Sequence, residues 1–151
     1  MSKWIEMSLA VLFSVALWLG VMSPEAEAIA TPANQGIVTE LHVQLGTPEG
    51  ALKYVPDHFE FEAGRRYKLI LENPSPQKHY FTAKDFADGI WTQKVEAGNV
   101  EIKGAIHELE LKPGAVAEWF FTALRVGAYD IHCPIAGHTE AGMTGEIAIA
   151  N

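Results

Sequence analysis

The chain has 151 residues, of which 48% are apolar and 20% are charged, and its formal net charge is −8 at pH 7. This length and composition predict a globular protein with one core. The acidic balance argues against a nucleic acid as partner and permits docking to a basic protein surface, although an excess of this size usually reflects solvated surface alone.

The N-terminal segment is typical of an export signal. Lys3 precedes an apolar run from Ser8 to Met22, which is followed by small residues at alternate positions. The run is about 15 residues long, shorter than the roughly 20 residues that a membrane-spanning helix needs. We therefore expect residues 1–28 to be a cleaved signal peptide and residues 29–151 to form the mature domain, with cleavage after Ala28 or Ala30.

A retained membrane anchor is the alternative for this segment. Glu6 offsets the charge of Lys3, and Trp18 lengthens the apolar stretch. With cleavage, the protein has no stable membrane span. The expected location is then an exported compartment, either a periplasm or a thylakoid lumen.

Eight later segments mostly place apolar residues at every second position, with breaks rich in Gly, Pro and Asn between them. This spacing predicts an all-β fold, a Greek-key β-sandwich of seven to eight strands. The predicted strands are Ile37–Gly46, His58–Gly64, Arg66–Pro74, His79–Phe86, Val100–Leu111, Ala115–Leu124, Ala128–Cys133 and Met143–Ala150.

One segment, Ala83–Asn99, lacks this alternation and is too long for a hairpin turn. We interpret it as the crossover between the two sheets, with room for a short helix.

Cys133 is the only cysteine of the chain, and Met143 is the only methionine of the expected mature domain. Exported compartments are usually oxidising, so a lone free thiol there is exposed to disulfide exchange and oxidation. The sequence therefore predicts that some specific feature protects Cys133.

Strand alternation places Cys133 inward at the end of its strand, and Pro134 then ends the strand. Glycines in the following loop allow His138 and Met143 to fold back over the sulfur. A thiolate, an imidazole and a weak thioether are three of the four ligands of a trigonal copper site with a long axial bond. His79, at the start of a strand after a turn-rich connection, is the candidate for the missing imidazole.

The pattern Cys-x4-His-x4-Met near the C-terminus, with a histidine 54 residues before Cys133 at the head of "HYF", resembles the cupredoxin (blue, type 1 copper) family. The resemblance covers nearly all of the mature chain. The ligand spacing is most similar to that of rusticyanin. Azurin-like members have one residue fewer before the methionine, and plastocyanin-like members have a shorter step from cysteine to histidine.

The resemblance implies one type 1 copper per chain, held by His79, Cys133 and His138 with Met143 as the axial ligand. It also implies an electron-transfer protein rather than an enzyme, one that cycles between Cu(I) and Cu(II). Four protein ligands leave no open position for a substrate. We expect a monomer whose partner is a redox protein, a cytochrome or another electron carrier, in a transient complex.

Two positions depart from the family pattern or leave its meaning open. Azurin-like and plastocyanin-like members have asparagine after the first histidine, where this chain has Tyr80, which leaves the hydrogen bonding around the ligands and the potential undetermined. At His132, plastocyanin-like members have a tyrosine on a remote electron path, and copper nitrite reductases have a histidine that binds a second copper. We expect His132 to be an exposed histidine near Asp130. The remaining histidines are predicted to lie on the surface, namely His42, His58 and His107.

Two other functions stay open at this point: a copper carrier or store, and a copper oxidoreductase subunit with a second site at His132. A thiol hydrolase is not favoured, because the sequence offers Cys133 no identifiable orienting group or oxyanion hole.

Overall fold

The structure is a computed structural model that describes residues 38–151. The predicted signal peptide, residues 1–28, and its boundary with the mature domain lie outside the described residues. Between residues 38 and 151, no helix has the length and apolar character needed to cross a membrane.

Eleven strands and one short helix make up this part of the chain. In chain order they are β1 (Thr39–Leu45), β2 (Tyr54–Val55), β3 (His58–Glu62), β4 (Arg66–Glu72), β5 (His79–Thr82), α1 (Lys84–Ala87), β6 (Ile90–Ala97), β7 (Val100–Ile102), β8 (Glu108–Leu111), β9 (Val116–Ala123), β10 (Gly127–His132) and β11 (Thr144–Ala150).

The strands form two sheets, which confirms the predicted β-sandwich. The first sheet has the order β2-β1-β4-β9-β6-β7, and the second has the order β3-β11-β10-β5-β8. The β1/β4 and β3/β11 pairs are parallel, and the other pairs are antiparallel. Most of these pairs join strands that are distant in sequence, and their hydrogen bonds hold each sheet together.

The core lies between the sheets, and β9 shows how the sequence builds it. Along β9, buried and more exposed residues alternate without a break, so one face meets the second sheet and the other meets solvent. Phe121 on the buried face lies at the centre of an aromatic cluster, with its ring 5.2 Å from Phe61, 5.3 Å from Phe86 and 5.7 Å from Tyr67. Such aromatic contacts contribute beyond the area that they bury.

Each of the eight predicted segments contains a strand, and three further features raise the count to eleven. The segment Val100–Leu111 divides into β7 and β8, which belong to different sheets. The two-residue strand β2 was not predicted. The segment Ala83–Asn99 does cross between the sheets and holds the short helix α1, but the expectation of a simple crossover was wrong, because it also carries the eight-residue strand β6.

The two ends of the sandwich carry different features. The site end is the end where β5 begins, at His79, and β10 ends, at His132. The distal end is the opposite one, where β9 ends at Ala123 and β10 begins at Gly127.

Candidate metal centre

Three predicted ligands meet at the site end. The donor atoms of His79, Cys133 and His138 all lie within 4.8 Å of one another, and among residues 38–151 this is the only such cluster of three His, Cys, Asp or Glu side chains. Cys133 Sγ is 3.4 Å from His138 Nδ1, and the two imidazole rings are 5.1 Å apart. The structure thus brings together residues that are 54 positions apart in sequence.

The Cys133 thiol points inward, as the strand alternation predicted. Tyr129, Ile131 and Cys133 are buried, whereas Asp130 is exposed and His132 is half-buried on the other face. The sulfur is shielded from solvent, which is how this fold protects a lone thiol.

The loop after Cys133 is closed by its own backbone. The N–H of Met143 donates to the carbonyl of His138 at 2.9 Å, and the N–H of Cys133 donates to the carbonyl of Met143 at 3.1 Å. The Thr139 hydroxyl adds a hydrogen bond to the Cys133 carbonyl at 2.9 Å. These bonds hold Met143, whose side chain is fully buried, beside both Cys133 and His138.

A second hydrogen-bonded loop fixes His79. The Asn73 amide donates to the carbonyls of Gln77 and Leu111 at 2.9 and 2.7 Å, and its oxygen accepts the N–H of Ser75 at 3.0 Å. Ser75 Oγ then lies 3.0 Å from His79 Nε2. The turn before β5 therefore sets the orientation of the imidazole, because a hydrogen bond at one ring nitrogen determines what the other can do.

The other nitrogen of this ring fits a metal. His79 Nδ1 is the only buried side-chain N or O atom between residues 38 and 151 without a hydrogen-bond partner. A buried polar atom left unpaired is costly, so native structures seldom keep one without a reason. Burial, and to a smaller extent the charge of His138, lowers the pKa of His79, which favours the neutral ring that a metal requires. The donor set of one thiolate and two imidazoles suits copper.

Tyr80 acts on the thiolate through its backbone. Its N–H donates to Cys133 Sγ at 3.4 Å, and its carbonyl accepts the phenol of Tyr54 at 2.6 Å. Burial, and then the charge of Cys133, raises the pKa of the Tyr54 hydroxyl, so that it remains a donor. The Tyr80 ring lies on the outer face and its hydroxyl bonds to Glu110, which lowers the pKa of that carboxyl. The side chain that replaces the expected asparagine therefore takes no part in joining the two ligand loops.

Gly46 packs directly against the site. Its φ of +77° lies in the left-handed region, and a Cβ placed there would lie 2.7 Å from His79 Nε2 and 2.8 Å from Ser75 Cβ. Both the backbone conformation and the space require glycine.

Of the other histidines, three are exposed as predicted, whereas His132 is half-buried. His42, His58 and His107 are exposed, as predicted. His132 lines an open cleft of about 620 Å³ that also includes His58, Asp130 and Glu146. In the described part of the chain, His132 belongs to no compact cluster of three His, Cys, Asp or Glu side chains. A second metal at His132 would thus need donors from another molecule.

Comparison with known proteins assigns this chain to a family. Residues 41–150 match the model of the copper binding proteins of the plastocyanin/azurin family. The chain belongs to this family. It is therefore a copper-binding cupredoxin, and His79, Cys133, His138 and Met143 form a type 1 copper-like site.

Individual relatives show how distant the similarity is. The chain is 27% identical over 127 residues to the chloroplastic plastocyanin minor isoform of Arabidopsis thaliana, an alignment that covers 81% of this chain and 67% of that protein. The chain thus spans about two thirds of the length of that relative.

Solved structures show the fold. A dithionite-reduced auracyanin from Roseiflexus castenholzii superposes with a TM-score of 0.54 at 21% identity, covering 77% of this chain and 100% of the auracyanin. A copper nitrite reductase from Nitrosomonas europaea gives 0.55 at 16% identity, covering 83% of this chain and 53% of the reductase. The superpositions support a shared cupredoxin sandwich. At these low sequence identities they do not assign an activity.

Sequence reasoning missed the residues that support this cupredoxin site, namely Gly46, Tyr54, Asn73 and Ser75. A signal was present for two of them. The stretch "NPSP" contains an asparagine two residues before a serine, and Asn73 indeed accepts the N–H of Ser75 in a turn of the kind that asparagine favours. Nothing local to Gly46 or Tyr54 indicates that they approach His79 and Cys133.

Proposed function

We propose that this cupredoxin is an exported electron carrier that shuttles single electrons between redox proteins. His79, Cys133, His138 and Met143 would hold the copper. The observation that carries this proposal is the buried cluster itself. In it His79 Nδ1, the only unpaired buried side-chain nitrogen between residues 38 and 151, lies beside a thiol and a second imidazole. Copper at such a site supplies a one-electron couple between Cu(I) and Cu(II).

The chain's part in this function is to hold the donors still. His79 is fixed by Ser75, Cys133 by the N–H of Tyr80, and His138 by a loop that closes on its own backbone. Donors placed at the rigid ends of strands keep their arrangement when the charge of the site changes. Little rearrangement is then needed for an electron to enter or leave.

His138 provides the route to a partner. It keeps 7% of its surface exposed, whereas His79, Cys133 and Met143 are fully buried. Small and apolar residues surround it in the loop, among them Ala136 and Ala141. An apolar patch formed by these alanines would suit the small interfaces of transient redox complexes.

The apolar patch can be tested directly. Changing Ala136 to Lys should slow electron exchange with a redox protein, because a charge would have to be desolvated in the contact. The visible spectrum of the copper site should stay the same. Exchange at the wild-type rate would overturn the role of this patch.

The burial of the donors favours a carrier of electrons over an enzyme. The four proposed ligands are shielded by protein, with only the edge of His138 at the surface. A substrate would need an accessible coordination position, which this arrangement does not offer. We propose that the protein acts as a monomer, since the site is complete within one chain. Export is supported by the apolar N-terminal run and by the need to protect a lone thiol in an oxidising compartment.

The deciding experiment is a titration of the protein with Cu(II), followed by visible absorption, beside a Cys133→Ala control. We expect an intense thiolate-to-copper band that saturates at one equivalent, is missing in the control and is bleached reversibly by a mild reductant. Tight Cu(I) binding without this band would replace the proposal with a copper carrier or store. More than one copper per chain in a native oligomer would support an oxidoreductase with a second site at His132.

A further inference from the structure

Three large apolar side chains are exposed at the distal end. Trp91, Leu124 and Val126 are 56%, 55% and 49% exposed. Trp91 pairs with Thr122 on the outer face of the first sheet. The Gly89 carbonyl, two residues before Trp91, accepts the N–H of Leu124 at 3.2 Å, which brings Leu124 into the diagonal position beside the indole. We call Trp91, Leu124 and Val126 the distal patch.

All three arginines of the chain surround the distal patch. Arg66 pairs with Thr122, the strand neighbour of Trp91, and the carbonyl of Arg65 accepts the N–H of Ala123 at 3.1 Å. Arg125 lies between the two apolar residues of the loop. A protein with a net charge of −8 thus gathers its guanidinium groups at one end. Guanidinium groups match phosphate geometry better than ammonium groups do.

Carboxylates partly offset the positive charges of the arginines, but the arginines still lie together at the distal end. Glu62 pairs with Arg65 at 2.7 Å, and Asp88 pairs with His107 at 2.7 Å. Each guanidinium has five N–H donors, so one carboxylate leaves Arg65 with donors for another acceptor. Towards the middle of the same sheet face, lysines are matched by carboxylates instead, as where Lys68 contacts both Glu40 and Glu118.

We propose that the distal patch docks on the surface of an anionic lipid bilayer. Trp91 would lie at the level of the headgroups with Leu124 and Val126 inserted beside it, while Arg65 and Arg125 contact lipid phosphates. Tryptophan favours this interface because its ring is apolar and its N–H is polar. Basic residues near an anionic surface strengthen the binding, and exposed apolar residues add to it as they leave water.

The path of the chain supports a membrane as the occupant. Residues 1–37 precede β1, and Thr39 at the start of β1 pairs with Tyr67, next to Arg66, so the chain enters the domain at the distal end. The apolar run from Ser8 to Met22 lies on this segment. If that run stays in the membrane, the 15 residues from 23 to 37 connect it to the distal end of the domain. A connection of this kind would raise the effective concentration of the distal patch at the bilayer.

This orientation goes beyond electron transfer itself, because it determines which end of the domain faces a redox partner. The eight residues of β9 run from the site end to the distal end, a distance of roughly 25 Å. With the distal patch on the bilayer, His138 at the site end faces away from it. The exposed edge of His138 would then meet partners that approach from the aqueous side.

The test measures the depth of Trp91 in the full chain. The chain has four tryptophans, so Trp4 and Trp18 are replaced by Phe, which leaves Trp91 and the fully buried Trp119. The protein is bound to vesicles of phosphatidylcholine and phosphatidylglycerol whose acyl chains carry bromine near the headgroups. We expect Trp91 emission to shift to the blue and to lose most of its intensity. Adding Trp91→Phe should abolish this response, because Trp119 is out of reach.

Two matched variants separate docking from mere attachment. Leu124→Ser should reduce the quenching of Trp91, whereas Val116→Ser, at an apolar residue 46% exposed at the site end, should leave it unchanged. Changing Arg65 and Arg125 to Gln should weaken the quenching most at low salt. Emission of Trp91 that bromine does not affect would overturn the proposal, whether or not the chain is bound. Emission that instead shifts with protein concentration would identify a second copy as the occupant. The copper band is read in parallel, so failure of the docking is distinguishable from failure of the site.

Discussion

Ser75 Oγ lies 3.0 Å from His79 Nε2, at the base of the copper site. Because Nδ1 of the same ring is the nitrogen left without a partner, Nε2 must carry the ring proton for Nδ1 to offer a lone pair. Ser75 Oγ therefore accepts a hydrogen bond from Nε2. With a metal on Nδ1, the serine stabilises the tautomer of His79 that binds it.

Replacing Ser75 by Ala should weaken Cu(II) binding by about 10- to 100-fold, the range observed when a ligand's supporting hydrogen bond is removed. Competition with a chelator of known affinity measures the loss. Thr47→Ala is the matched control, since the Thr47 hydroxyl accepts the Ala51 N–H at 3.2 Å and hydrogen-bonds to Glu49, both in an exposed turn outside the ligand set. Equal affinities for Ser75→Ala and the wild type would contradict the tautomer argument.

Gly46 offers a steric test of the same imidazole. Gly46→Ala places a Cβ 2.7 Å from His79 Nε2 and also strains a backbone with φ of +77°. Gly98→Ala is a matched control, because Gly98 has φ of +57° but no atom within 4 Å of the added Cβ. Both variants should lose about 1 kcal/mol of unfolding free energy for the backbone alone, and Gly46→Ala should lose 1–3 kcal/mol more. Chemical denaturation measures both. Similar losses in the two variants would show that His79 gives way freely.

Met143 is fully buried and supplies the proposed axial donor. An oxygen donor favours the harder Cu(II), so Met143→Gln should lower the reduction potential, while Met143→Leu removes the donor and should raise it. We expect the two variants to differ by more than about 59 mV, a tenfold change in a one-electron equilibrium. Redox titration of the visible band measures this. A control change in the nearby core, Ile147→Val, should move the potential little. If Gln and Leu shifted it in the same direction, Met143 would act through packing alone.

The strand pattern predicted most of the sandwich, and its failures have physical causes. In β6 the register shifts between Thr92 and Lys94, so the buried residues Ile90 and Val95 lie five positions apart and the period of two is lost. A bulge of this kind hides a strand from any test of alternation. The segment Val100–Leu111 looks continuous but turns at Gly104, with φ of +122°, on its way to the other sheet.

The ligand spacing predicted which side chains meet, whereas their supports depend on the tertiary structure. Cys133, His138 and Met143 lie on one loop, so local geometry brings them together. Tyr54 reaches the site only through the Tyr80 carbonyl, a contact across 26 positions at 2.6 Å. Such a contact depends on which strand ends coincide in the folded sandwich, and the sequence does not encode that locally.

The ion pair between Asp88 and His107 gives a prediction for the pH dependence of stability. The 2.7 Å hydrogen bond from His107, followed by smaller effects of nearby cations, lowers the pKa of Asp88 below its ordinary value. The folded state thus binds this proton less readily than the unfolded state, so the stabilisation is present above the ordinary Asp pKa of about 3.9. It is lost as the pH falls through the lower folded pKa.

The variant Asp88→Asn should accordingly be less stable than the wild type at pH 6, by a small amount because the pair is exposed. The difference between the two should close as the pH is lowered below about 3.9. Urea unfolding of the wild type, Asp88→Asn, His107→Ala and the double variant, at each pH, isolates the coupling between the two side chains. If the losses of the two single variants simply added at pH 6, the hydrogen bond would contribute nothing to stability and the lowered pKa would have another cause.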